Sequence, residues 1–222
     1  MVGPRIVSRA PRSASVLKSR LVAANRAEFE AGLAWAGSDP SIEAAAARIT
    51  GARRRFVLGA GIGFTYASLL AGKLNASLAQ VTVVDGTIVR PLDILSDVRE
   101  TDVLIAISLR RFRRYTIDNA MPFAQAGGSL VVITDSARNP LIPHATEAVV
   151  IDTAAHRGEA GTTSGSVHPD LAMHPDTPGV SPTVVSLVID LIATLSTASA
   201  KGAGRRFAER ERLGSELGLY RD

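Results

Sequence analysis

The sequence predicts an α/β protein whose five parallel strands are covered by helices on both faces, a three-layer α/β/α sandwich. Three observations carry that expectation. Short apolar, β-branched runs recur at "FVLG" (56–59), "VTVV" (81–84), "DVLIAI" (102–107), "SLVVI" (129–133) and "AVVI" (148–151). They are continuously apolar rather than alternating, as strands buried on both faces must be. The segments between several of them, notably 64–79 and 115–127, read as helices that return the chain for the next strand by right-handed crossovers.

Residues 1–12 read as a loose basic tail. From about 13 to 36 the pattern is helical: Leu17 and Leu21 lie one turn apart, and Val22, Phe29, Leu33 and Ala36 fall near one face. Asp39-Pro40 breaks that helix, and "SIEAAAARITGA" restarts one with Ser41 placed to cap it. "RRR" (53–55) precedes the first strand and is expected to form a solvated collar on the edge away from any ligand. After the fifth strand the pattern stops. Residues 155–180 have no sustained period and are rich in Gly, Pro, Ser and Thr, a length that calls for a functional or disordered role. Ser181-Pro182 then marks a helix start, a capping serine with proline in the first turn. "TVVSLVIDLIATL" is apolar nearly all round, so it is buried or lies at a subunit interface. The closing "RRFAERERLGSEL" is charged and amphipathic, with Phe207, Leu213 and Leu217 as docking candidates. The expected division is a tail with leading helices over 1–50 and the α/β domain with its C-terminal helices over 51–222.

Composition narrows the function. There is no cysteine, and His144, His156, His168 and His174 include no pair at metal-binding helical spacing, so no metal or cofactor is expected. The net charge of +4 is modest and favours an anionic small ligand over a nucleic-acid coat. Residues 56–72 are uncharged but too short and too glycine-punctuated for a membrane span, and Asp190 interrupts 182–200. The N-terminus is basic without an apolar core, so no secretory signal is read, and a soluble, cytoplasmic protein is expected.

In a doubly wound sheet, ligands bind beyond the carboxyl ends of the strands, where the strand order reverses. "GAGIGFT" (59–65) follows the first strand and opens a helix there, making Gly61 and Gly63 candidates for close anion approach. Phe64 stands where a dinucleotide fingerprint needs its third glycine, although Asp85 after the second strand keeps that reading open. "ISLRRFRRYT" (107–116) crowds four arginines after the third strand, just ahead of a helix predicted to begin near Thr116. Positive charge at a helix N-terminus is unfavourable, by about 0.3–1 kcal/mol per exposed group. An anion held by Arg110, Arg111 or Arg113 would remove the conflict. Solvation, or pairing with Asp118, Glu100 or a partner chain, would also do so. "ITDSARNPL" (133–141) ends the fourth strand with Thr134, Asp135 and Ser136, which could fix sugar hydroxyls. Equally, Asp135 or Ser136 could simply cap the next turn.

Together these motifs resemble the SIS (sugar isomerase) domain. The chain is similar, more narrowly, to the sugar-phosphate-sensing half of RpiR-type transcriptional regulators over about residues 20–218. "ITDSxxxPLxxxATEAVVI" (133–151) is the most specific part. The resemblance implies a five-stranded flavodoxin-like sheet, assembly as a homodimer or homotetramer, and binding of phosphorylated sugars. It places Thr65 at the hydroxyl after the glycine loop and Ser108 at the first serine of a phosphate loop of the form S-x-S-G-x-[ST]. Here Arg110 and Arg111 replace the usual Ser and Gly, and Arg113 replaces Ser or Thr. The stretch before the first strand fits the leading helices and leaves no room for a helix-turn-helix domain, so sequence-specific DNA binding is not expected.

The candidate ligand-binding set is therefore Gly61, Gly63, Thr65, Ser108, Arg110, Arg111, Arg113, Thr116, Thr134 and Ser136. Three function classes follow: a non-catalytic, regulator-like sensor of a phosphorylated sugar or related anion; a phosphosugar isomerase; and a nucleotide-binding enzyme. An isomerase needs a proton-shuttling base. Glu147 lies near the fifth strand and looks surface-facing, and the loop histidines His156, His168 and His174 would have to swing over the ligand.

Overall fold

A computed structural model describes residues 14–152 and 179–219. The chain runs α1 (Ala14–Ala36), α2 (Ser41–Gly51), β1 (Arg54–Gly59), α3 (Ile62–Asn75), β2 (Val81–Val84), α4 (Pro91–Leu95), β3 (Asp102–Ile107), α5 (Arg114–Gln125), β4 (Ser129–Thr134), a 3₁₀ turn (Ile142–His144) and β5 (Glu147–Val150). Two helices follow, α6 (Pro182–Ala198) and α7 (Ala203–Glu216). The five strands form one parallel sheet in the order β2-β1-β3-β4-β5. The three-layer α/β/α sandwich stands as expected. The sequence pattern did not foretell α4, whose five residues follow a proline-led turn.

Alternate residues of each strand feed two cores. Val57, Ile105, Ile107, Val131 and Ile133 face α2, α3 and α6, meeting Ile49, Leu70, Leu74, Val184, Val188 and Ile192. Phe56, Leu58, Leu104, Leu130 and Val132 face α4 and α5, meeting Ile94, Ala120 and Phe123. Helix α6 is thus a core helix, its Val184, Val185, Val188, Ile189 and Ile192 wholly buried, which explains its nearly all-apolar sequence. Ser181 caps it as expected, accepting from the Thr183 N–H at 3.2 Å. No single helix among the described residues is long and apolar enough to cross a membrane.

Three local expectations fail. Ser41 does not cap α2: the Asp39 carboxylate takes the Ser41 N–H at 2.8 Å, and the Ser41 hydroxyl is buried without a partner. The arginines 53–55 are not a solvated collar. Arg54 and Arg55 belong to β1 itself, and Arg54 reaches Asp102 at 2.6 Å while Arg53 lies 3.6 Å from the same carboxylate. Arg55 is 7% exposed and donates to the carbonyls of Ile49, Thr50 and Ala79 at 2.7, 2.8 and 3.0 Å. Positive charge among the last carbonyls of α2 is favourable, and the long aliphatic stem is buried with the core. The expected tail at 1–12 lies outside the described residues, as does the 155–180 loop apart from its last two positions.

Candidate functional site

The chain order reverses between β1 and β3: β2 lies on one side of β1 and β3 on the other. Their carboxyl ends therefore open a crevice, and both segments that the sequence marks as phosphate-like meet there. Ala60, Ile62 and Gly63 form one wall, and Ser108, Leu109, Arg110, Arg111, Arg113 and Thr116 the other.

The glycines do different jobs. A Cβ on Gly63 would stand 2.7 Å from the Ile107 carbonyl oxygen, and one on Gly59 would overlap the Gly63 carbonyl. Both are needed so that α3 can start hard against β3. Gly61 alone has a positive φ, +59°, and the Arg113 guanidinium lies across it, with Nε 3.2 Å from where a Cβ would stand. Arg113 thus bridges the two loops.

Ser108 is the most informative side chain. It is 2% exposed, its N–H donates to the Ile133 carbonyl at 3.0 Å, and its carbonyl accepts from Asn139 Nδ2 at 2.8 Å. With the backbone committed, its hydroxyl is buried and has no protein partner, on the wall of the crevice. A buried hydroxyl without a partner costs about 1–3 kcal/mol, and an acceptor in the crevice would relieve that. Neither α3 nor α5 has a side-chain cap or an acidic residue in its first turn. Both N-termini consequently present partial positive charge to the same space.

Asp135 organises the arginine loop. Its carboxylate is buried, accepts the Arg110 N–H at 2.8 Å and the Gly179 N–H at 2.9 Å, and lies 3.9 Å from Arg110 Nε. It does not cap the turn after β4; Ser136 does, its Oγ accepting from the Arg138 N–H at 3.2 Å. Thr134 is also structural, being fully buried with its Oγ1 accepting from Asn139 Nδ2 at 2.9 Å. Neither Thr134 nor Ser136 lines the crevice. Gly61 and Thr65 sit beside it, Thr65 on the exposed side of α3. Gly63, Ser108, Arg110, Arg111, Arg113 and Thr116 come together as expected. Arg114 turns outward and pairs with Asp118 at 3.6 Å.

Sequence reasoning missed Asn139, whose amide ties Ser108 to Thr134 behind the crevice. Its one signal was a polar residue directly before proline. The role of Tyr115 was missed too. Its hydroxyl packs on Gly86 where a Cβ would have no room, which pins the start of α5 to the loop after β2. Burial pushes the Tyr115 phenol up, and the nearby Asp85 charge adds to this.

The dinucleotide reading loses its acidic residue. Asp85 Oδ1 accepts from the N–H groups of Thr87, Ile88 and Val89, each at 2.9 Å, and those bonds hold its carboxyl below the usual carboxylate range. The group closes its own loop.

Larger clefts lie elsewhere but have less chemistry. One of about 370 Å³ opens at the amino edge, where Arg48 meets Glu147 at 3.7 Å and Asp102 is held by Arg53 and Arg54. Another, about 810 Å³, runs along α7. The β1/β3 crevice encloses only about 20 Å³, room for a water-sized group. A larger anion there would be surrounded by movable arginine side chains.

A doubly wound sheet with this crevice at its switch point defines an anion-binding α/β protein. The SIS domain family model matches residues 48–169, and the chain belongs to that family. Among solved structures it is similar to the sugar isomerase domain of an RpiR transcription factor from Sphaerobacter thermophilus. That match has 22% identity and a TM-score of 0.69, covering 90% of this chain and 98% of the other. The Vibrio vulnificus NanR protein complexed with ManNAc-6P matches with 16% identity and a TM-score of 0.69, covering 92% and 70%. An Escherichia coli protein in complex with a phosphosugar matches with 17% identity and a TM-score of 0.62, covering 90% and 100%. At these identities the likeness is one of fold. No match was found among curated proteins.

Proposed function

We propose that this SIS-domain chain binds a phosphorylated sugar without turning it over, as a regulator-like sensor. The observation that carries the reading is the buried, unpartnered Ser108 hydroxyl between two uncapped helix N-termini and the arginine loop. Phosphate oxygens suit every one of those donors. The NanR and E. coli neighbours, each in complex with a sugar phosphate, lend support.

The alternative is a phosphosugar isomerase. Among the described residues lining the crevice there is no carboxylate or imidazole to move a proton between carbons. Glu147 is engaged with Arg48 on the opposite edge, and His156, His168 and His174 lie outside the described residues. The sensor reading is therefore preferred. Dimeric assembly belongs to the same proposal. Exposed Phe207, Leu213 and Leu217 on α7 and Val16, Leu21 and Val22 on α1 offer apolar surface for a second copy.

Calorimetric titration with a panel of hexose and pentose phosphates tests the reading. Binding is expected, and Ser108→Ala should weaken it about tenfold, the worth of one hydrogen bond to a charged acceptor. Failure of every phosphosugar to bind would overturn it, as would aldose–ketose conversion of any that does.

A further inference from the structure

The charge at the crevice exceeds what one phosphate needs. Arg110, Arg111 and Arg113 all line it, and no acidic residue does. The nearest carboxylate, Asp135, lies beneath Arg110 and is fully occupied: one oxygen takes the Arg110 N–H, the other the Gly179 N–H. It offsets at most one guanidinium. Arg111 is exposed and has no ion pair among the described residues, and Arg113 spans the crevice over Gly61. The two helix N-termini add positive potential, each equivalent to roughly half an elementary charge. A phosphate ester carries about −1.5 to −2 at neutral pH. The Ser108 hydroxyl and the helix ends suffice to seat such a group.

We propose that the ligand is a phosphosugar carrying a second anionic group, a carboxylate or another phosphate, and that Arg111 and Arg113 select for it. The proposal rests on the phosphosugar reading above and deepens it. Guanidinium side chains are well suited to this selection. Their planar forks pair bidentately with carboxylate and phosphate alike, and their length lets them close on a group standing away from the seat at Ser108. Small residues wrapping one phosphate could not reach that second group.

Matched ligands separate the two levels. Phosphogluconate is titrated against the glucitol phosphate that differs from it only in lacking the carboxylate, and fructose bisphosphate against fructose monophosphate. All titrations use the full chain at one ionic strength. The doubly anionic member of at least one pair should bind about tenfold tighter or better, from one added charge-assisted contact. Which pair shows the gain tells whether the second group is a carboxylate or a phosphate. Arg111→Ala and Arg113→Ala should each erase most of that preference. For Arg111→Ala, affinity for the singly charged member should stay within about threefold, since the seat at Ser108 is untouched. Equal affinity within both pairs would overturn the proposal and leave the phosphosugar reading intact. A preference that survives both arginine variants would overturn the assignment of these residues. If no compound of either pair binds, and inorganic phosphate does not bind either, the phosphosugar reading itself falls. Citrate, which has charge but no sugar phosphate, should bind more weakly than the preferred ligand; parity would overturn the selection as one for phosphosugars.

Discussion

Replacing Asp135 with alanine is the sharpest test of how the arginine loop is held. The carboxylate accepts two backbone N–H groups, from Arg110 at 2.8 Å and Gly179 at 2.9 Å, and its side chain is fully buried. Hydrogen bonds to a charged acceptor contribute about 1.5–3 kcal/mol each, and both donors are partly buried, so water replaces the lost acceptor only in part. The variant should lose about 3 kcal/mol of stability. For a chain of this size that lowers the melting temperature by about 6–12 °C. Urea unfolding should show a lower midpoint at unchanged slope, since the exposed surface is the same. Ser136→Ala, one residue on, removes a single bond to the Arg138 N–H at the surface and should change stability by less than about 0.5 kcal/mol. If Asp135→Ala cost no more than Ser136→Ala, the carboxylate would not be the organising acceptor.

Two further outcomes follow from residues off the ligand. Gly63→Ala places a methyl group 2.7 Å from the Ile107 carbonyl, backbone against backbone, and should destabilise by about 1–3 kcal/mol. Gly72→Ala in the same helix meets nothing within 4 Å and should stabilise by about 0.5–1 kcal/mol. Calorimetric melting of the pair checks the opposite signs. Asp102 gives a pH dependence. Burial raises its carboxyl, but the Arg54 hydrogen bond, the Arg99 N–H and the charges of Arg54 and Arg53 outweigh that and leave it below its ordinary value. Its contribution should be complete above about pH 4 and fade as pH falls through the lower folded value. Asp102→Asn should cost about 3 kcal/mol at neutral pH and make the acid limb of a urea-midpoint profile shallower; an unchanged limb would remove Asp102 as its source.

Much of this was legible in the sequence because it depended on period and position. Continuous apolar runs such as "DVLIAI" cannot be anything but strands covered on both faces, and the glycine and arginine loops had to fall on the carboxyl edge once β1 and β3 were placed. What stayed hidden was pairing at a distance. "RRR" at 53–55 has the composition of a solvated run; only a partner 48 residues away, Asp102, and the carbonyls ending α2 make it internal. Asp135 was likewise ambiguous. Aspartate after a strand most simply caps its own turn, and nothing local says that its donors come from Arg110 and Gly179. Thr134 and Ser136 looked like ligand hydroxyls for the same reason, until Asn139 and Arg138 were seen to use them.

Helix α1 has a consequence of its own. It is gripped at one end: Gly32 is so close to α6 that a Cβ would stand 2.8 Å from a Val184 methyl, and Glu28 takes the Ser181 N–H at 2.6 Å. Toward its start, every residue from Ala14 to Ala27 except Leu17 is exposed. The helix is a cantilever. From Gly32 back to Ala14 it extends roughly 27 Å, so a tilt of about 10° at the clamp would carry the free end through roughly 5 Å. The clamp bears on the first turn of α6, two residues past Gly179 and hence close to the carboxylate that also holds the arginine loop.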